Sequence, residues 1–170
     1  FNGMRQAVEH LIVEHGCKRI AFVQGPAGQF EAEQRYQAYI AALQAHDLSF
    51  DPALVAQGDF SQESGRAAVR SLLDERGADF QALVTANDRM AFGALEALEM
   101  RGRSVPGDVA LVGFDDVFEA RLLGVPLTTV RQPFYDSGRR TVEMLVGMLQ
   151  GQPPSPQADL PTELVLRWSR

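Results

Sequence analysis

Polar residues suited to holding a ligand cluster directly after runs that read as buried strands. Ala86-Asn87-Asp88 follows Ala82-Leu83-Val84-Thr85, Phe114-Asp115-Asp116 follows Val109 to Gly113, Arg131-Gln132 closes Thr128-Thr129-Val130, and Asp59-Phe60 follows Leu54 to Gln57. In an open parallel sheet, ligands bind beyond the carboxyl ends of the strands, where loops and helix N-termini converge with unpaired N–H groups. The chemistry on offer is recognition: carboxylate and amide groups for hydroxyls or ring amines, and an aromatic face for a ring. Each residue also has a plainer role. Asn87 and Asp88 are good helix caps, Phe60 fits a core, and Arg35 on a helix is by default a solvated side chain. Asp115 and Asp116 have the types of an acid/base dyad or a metal pair. Adjacent residues on an extended chain point to opposite sides, however, so one at most faces a ligand.

Covalent and metal chemistry find little support. The chain has no G-x-S-x-G elbow, no H-E-x-x-H or H-x-x-x-H pair, no Walker loop and no G-x-G-x-x-G. His10, His15 and His46 lie on or just beyond polar helix faces, and none follows a strand. Gly25-Pro26-Ala27-Gly28 lacks the Lys and the Ser or Thr of a phosphate cradle and reads as a hinge or turn. The expectation is a binding protein and not an enzyme, with no catalytic residue, metal or cofactor.

The elements that must position these residues alternate between helical and strand-like periodicity, with breakers between them. Helices are expected over Met4 to Glu14, Glu31 to Ala45, Ser61 to about Gly77, Asn87 to Gly102 and Phe134 to Gln150, the last with Val142, Leu145, Val146 and Leu149 inward. Strands are expected at Arg19–Gln24, Leu54–Gln57, Ala82–Thr85, Val109–Gly113, Thr128–Gln132 and Glu163–Trp168, with a short helix between Val117 and Leu123 and a linker from Gly151 to Pro156. This pattern predicts an α/β fold with mostly parallel sheet and helices on its faces.

At 170 residues, with 45% hydrophobic and 22% charged residues, the chain holds one domain or part of a larger one. Its 16 basic residues against 22 acidic give a net charge of −6, and no basic run is present, so a duplex-binding surface is excluded. No apolar stretch approaches the roughly 20 residues of a membrane helix, so no membrane partner is expected. Cys17 is the one cysteine and fits a reducing, cytoplasmic setting. The chain starts on Phe1 and not Met, from which an upstream segment is expected.

Four segments resemble the effector-binding domain of the LacI/GalR family of bacterial transcription regulators. Ala86-Asn87-Asp88-Arg89-Met90-Ala91-Phe92-Gly93-Ala94-Leu95 is similar to A-N-D-x-M-A-x-G-A-L, and Val105 to Asp116 is similar to V-P-x-D-V-x-V-x-G-F-D-D. Pro126-Leu127-Thr128-Thr129-Val130-Arg131-Gln132-Pro133 resembles P-L-T-T-V-x-Q-P, and His15 to Ala21 resembles H-G-x-x-R-I-A. The resemblance runs from Phe1 to about Arg167. It implies the type I periplasmic-binding-protein fold, two α/β subdomains with a small sugar or purine between them. Residues 1–28 would then be part of the N-terminal subdomain, 29–132 the C-terminal effector-binding subdomain, 133–160 a return into the N-terminal subdomain and 161–170 a closing strand of the C-terminal one.

The resemblance further implies roles for single residues. Arg35 falls at the arginine that grips ligand hydroxyls or a carboxylate, Asn87 at a ligand-reaching asparagine, and Asp115 at the acceptor after G-F. Phe60 falls at a stacking aromatic and Gln132 at a crossover. Ala38 departs from the glycine usual there. Phe92, Leu122 and Leu123 become candidates for a homodimer interface, with an ordinary core role open for Phe92. The implied function is a small-molecule effector domain that controls DNA binding through a helix-turn-helix module absent from this chain. A sensor domain coupled to a diguanylate cyclase or kinase output, or a transporter's exported sugar-binding protein, are the alternatives.

Overall fold

A computed structural model of the chain describes residues 1–153 and 160–170. The described residues form five α-helices and six strands. They are α1 (Asn2–His15), β1 (Ile20–Gln24), α2 (Phe30–Ala45), β2 (Val55–Gln57), α3 (Gln62–Arg70), β3 (Ala82–Thr85), α4 (Asp88–Glu99), β4 (Ala110–Val112), β5 (Thr129–Arg131), α5 (Phe134–Leu149) and β6 (Glu163–Val165). The helix ends follow their local chemistry. Gly16 takes the left-handed conformation at φ 65 that closes α1, the Ser61 hydroxyl accepts the Ser64 N–H to start α3, and the Asn87 side chain starts α4. The third helix is α-helical only to Arg70 and then widens into one π-helical turn over Ser71–Glu75.

The first four strands form a parallel sheet in the order β2-β1-β3-β4. β5 and β6 pair antiparallel, and single parallel bridges from Val112 to Thr128 and from Asp115 to Arg131 lay β5 beside the chain leaving β4. The helices pack in pairs, α1 with α2 and α3 with α4. Apolar residues of β1, β3 and β4 are buried on every side, as continuous hydrophobic runs in a parallel sheet require. The fold is therefore α/β with a parallel sheet, as the periodicity predicts.

Two expectations need correction. The division after residue 28 does not separate two bodies. β1 lies between β2 and β3, and Met4, Ala7, Val8 and Leu11 of α1 share one core with Tyr39, Leu83 and Leu111. The physical reason is that a strand as buried as Ile20–Val23 needs a neighbour on each edge. Second, α5 buries none of its residues: Val142, Leu145, Val146 and Leu149 are 59%, 56%, 46% and 89% exposed. Their spacing marks a face suited to burial but does not say what covers it. From residue 154 to Pro156 the expected linker lies outside the described residues. Among the described residues no helix is long and apolar enough to cross a membrane.

Candidate functional site

The carboxyl ends of β1, β2, β3 and β4 converge with α2 and the end of β5 on one cavity of about 290 Å³. Gln29, Glu31, Arg35, Phe60, Asn87, Asp115, Gln132 and Phe134 line it, so all five residues expected to bind ligand meet there. A second, wider space of about 650 Å³ shares Glu31, Arg35 and Gln132 with it and adds Phe30 and Phe114. Concave spaces of this size accommodate small organic molecules.

Arg35 is not a solvated side chain. It is buried, its Nη1 donates to the Ala86 carbonyl at 2.6 Å, and its Nη2 lies 3.8 Å from Asp115 Oδ1. The guanidinium carbon sits 4.1 Å from the Phe114 ring centroid and 5.7 Å from that of Phe60, two cation–π contacts that help hold the fork in place. Burial lowers the arginine's pKa, against the pull of Asp115 and Glu31; a guanidinium stays charged through such a shift.

Asn87 caps α4 and braces a neighbouring turn. Its Oδ1 accepts the Met90 N–H at 2.9 Å as the α4 cap, while its Nδ2 donates to the Phe60 carbonyl at 3.0 Å. That second bond matters because Phe60 stands at φ 71, where residues with a Cβ are rarely found. The Asp59 carboxylate, accepting the Ser61 N–H at 2.8 Å, braces the same turn.

Asp115 also has a positive φ, 124, and its N–H donates to Val130 at 2.8 Å. Its Oδ1 accepts from Gln132 Nε2 at 2.5 Å. Burial raises its pKa, and Arg35 and Gln132 oppose that rise. Asp116, at φ 56, sends its carboxylate elsewhere. That side chain is 1% exposed and accepts from Arg131 at 2.7 Å, from Arg121 at 3.1 Å and from Arg167. Burial works to raise its pKa, but the guanidinium hydrogen bonds, Arg167 and Arg131 foremost, outweigh it and hold the pKa below the usual carboxylate value. The two neighbouring carboxylates thus diverge, one toward the cavity and one into a cluster of three arginines.

Two supporting residues escape a reading of the sequence. Asp88, read there as part of a cap, is fully buried; it accepts the Thr129 hydroxyl at 2.5 Å and the Val117 N–H at 2.9 Å. Burial pushes its pKa up to about 6. It ties the first turn of α4 to β5 and to the segment after Asp116, behind the loop that presents Asp115. Phe114 is the platform under Arg35. Both depend on partners tens of residues away, and the one local sign is Gly113, where a Cβ would run into Asp88 Oδ1.

The three dimer candidates lie apart from the cavity. Leu122 is 67% exposed, Leu123 is half-buried against the core, and Phe92 is half-buried while lining a separate hollow with Gln62, Arg89, Val117 and Glu119. Among the described residues no group of three or more His, Cys, Asp or Glu is placed to hold a metal ion.

A family model described as a periplasmic binding protein-like domain matches residues 8–170. The HTH-type transcriptional regulator CelR of Thermobifida fusca is 42% identical over 168 residues, covering 98% of this chain and 49% of its own length. The HTH-type transcriptional repressor CytR of Escherichia coli K12 is 37% identical over 146 residues, 86% of this chain and 42% of its own. Among solved structures, a CelR–cellobiose complex superposes with a TM-score of 0.94 at 40% identity, over 99% of this chain and 51% of that one. The lac repressor dimer bound to operator and the anti-inducer ONPF gives 0.91 at 34% identity, over 99% and 57%. The chain spans about half the length of the curated relatives it matches. It therefore belongs to the family of periplasmic binding protein-like domains, of the kind carried by LacI-family transcriptional regulators.

Proposed function

We propose that this chain is the effector-binding and dimerisation domain of a LacI-family bacterial regulator, a cytoplasmic repressor whose DNA contacts are made by a separate helix-turn-helix. The observation that carries this reading is the convergence of Arg35, Phe60, Asn87, Asp115 and Gln132 on one cavity of about 290 Å³. Those groups suit a sugar-like or nucleoside-like molecule. The Arg35 fork and the Asp115 carboxylate take vicinal hydroxyls, the remaining Asn87 amide hydrogen donates to a ring oxygen, and Phe60 offers a ring face. One relative named a ribose operon repressor and a neighbour solved with cellobiose favour the sugar. The relatives are regulators, which favours a binding role over turnover and over a transporter's binding protein.

Regulation then follows from linkage: an effector shifts the balance between two arrangements only by binding one better than the other. Gln132 is suited to report occupancy, because it touches Asp115 and lies directly between β5 and α5. Phe92, Leu122 and Leu123 are the proposed contacts with a second copy. The test is calorimetric titration of the full-length protein with cellobiose, ribose and adenosine, repeated with its operator DNA present. A sugar that binds and changes operator affinity supports the reading. Binding that leaves operator affinity unchanged overturns the regulatory role.

A further inference from the structure

Gly25 follows β1 and is buried, its backbone takes no left-handed conformation, and its carbonyl accepts from Gln57 Nε2 at 2.5 Å. Nothing in its dihedral angles calls for glycine. Space does: a Cβ on this residue would overlap Cε1 and Cζ of the Phe60 ring and stand 2.8 Å from the Ala32 Cβ. The Phe60 backbone has little freedom to retreat, since Asn87 holds its carbonyl and the Asp59–Ser61 bond closes its turn. The mobile part is the ring, whose far edge rests on Gly25 while the same side chain lines the cavity beside Arg35.

We propose that Gly25 is a specificity-determining residue of this cleft: by having no side chain it lets the Phe60 ring lie back against the end of β1, which sets the width of the slot left for the ring of a bound sugar. The inference rests on the effector-site reading above. Carbon atoms pack at about 3.5–4.0 Å, so a methyl group at position 25 drives the ring edge roughly 1 Å or more. Ala32 and the helix behind it resist movement the other way, so the ring tilts into the cavity. The atoms displaced first are the end of one side chain, so the fold survives the change while the slot narrows.

The experiment is a double-mutant cycle in the full-length protein, titrated with cellobiose and with ribose, together with crystal structures of wild type and Gly25→Ala. Gly25→Ala is expected to weaken sugar binding by about tenfold or more. Added to Phe60→Ala, it should change affinity by less than about twofold, because the ring through which it acts is gone. The crystal structure should place the Phe60 ring further into the cavity, with the ring edge moving more than α2, which gives way only slightly at Ala32. The same loss in both backgrounds, or an unmoved ring with α2 displaced through Ala32, would overturn the proposal and make Gly25 a packing residue. A wild type that binds no sugar overturns instead the reading of the cleft on which the proposal rests.

Discussion

Asp88→Asn is expected to stabilise the protein at neutral pH and to remove part of its pH dependence. The Asp88 carboxyl is fully buried, and burial pushes its pKa from 3.8 up to about 6. A group that holds its proton more tightly in the folded state favours folding while protonated, and that advantage is lost as pH rises from about 4 through about 6. At about 1.4 kcal/mol per pH unit, the ionised form costs roughly 3 kcal/mol at pH 7. Asparagine can keep both partners: Oδ1 accepts the Val117 N–H and Nδ2 donates to Thr129 Oγ1, which currently donates to Asp88. The Thr129 hydroxyl must then find another acceptor, at about 1 kcal/mol. A net gain of about 2 kcal/mol at pH 7 follows. The assay is urea unfolding of wild type and variant at pH 7, 6, 5 and 4; the other titrating groups are common to both proteins and cancel in the difference. The gap should be largest at pH 7, close between pH 5 and pH 4, and reverse slightly at pH 4, where only the cost at Thr129 remains. Parallel curves, or a variant weaker at every pH, would show that Asp88 carries no cost of burial in its ionised form.

Three further substitutions probe the framework of the site. Gly113→Ala brings a Cβ against Asp88 Oδ1 and within 2.9 Å of Leu127 Cδ2, both fixed, so a loss of about 2–3 kcal/mol is expected in the urea midpoint. Asp116→Ala strips the partner from Arg167, Arg131 and Arg121 and is expected to cost about 2–3 kcal/mol. That is below the range for a fully buried pair, because Arg131 and Arg121 are 42% and 52% exposed. Since its pKa is held down, the Asp116 contribution should be intact at pH 5 and 7 and disappear only below the ordinary carboxylate range, which an acid unfolding series checks. Tyr39→Phe removes a buried hydroxyl that donates to Ile20 at 2.9 Å but keeps the ring stack on Phe22 at 4.9 Å, so thermal unfolding should fall by only about 1 kcal/mol.

Local chemistry explains what was legible in the sequence. Ser61 and Asn87 announce the starts of α3 and α4 because a side-chain oxygen two or three residues ahead of a free N–H is a local device, and Gly16 ends α1 for an equally local reason. The strand-end rule brought Phe60, Asn87, Asp115 and Gln132 toward one edge without knowledge of strand order. What stayed hidden depends on distance along the chain. Arg35 reads as solvated until Ala86, 51 residues away, and Phe114 are seen around it. Asp88 reads as a cap until Thr129 closes over it, 41 residues on. The sheet order is equally non-local: a strand of Ile-Ala-Phe-Val wants two neighbours but does not name them, and its places beside β2 and β3 are visible only in the fold. The apolar stripe of α5 shows the same limit, since periodicity gives a face and not its cover.

The proposed effector site is built from five side chains that come from distant parts of the chain. It is tested most simply by the affinity of the full-length protein for cellobiose, measured by titration calorimetry for wild type, Arg35→Ala, Asn87→Ala and Asp115→Ala. Each substitution is expected to weaken binding by about tenfold or more, about 1.4 kcal/mol. Affinities that remain within about threefold of wild type in all three variants would contradict it.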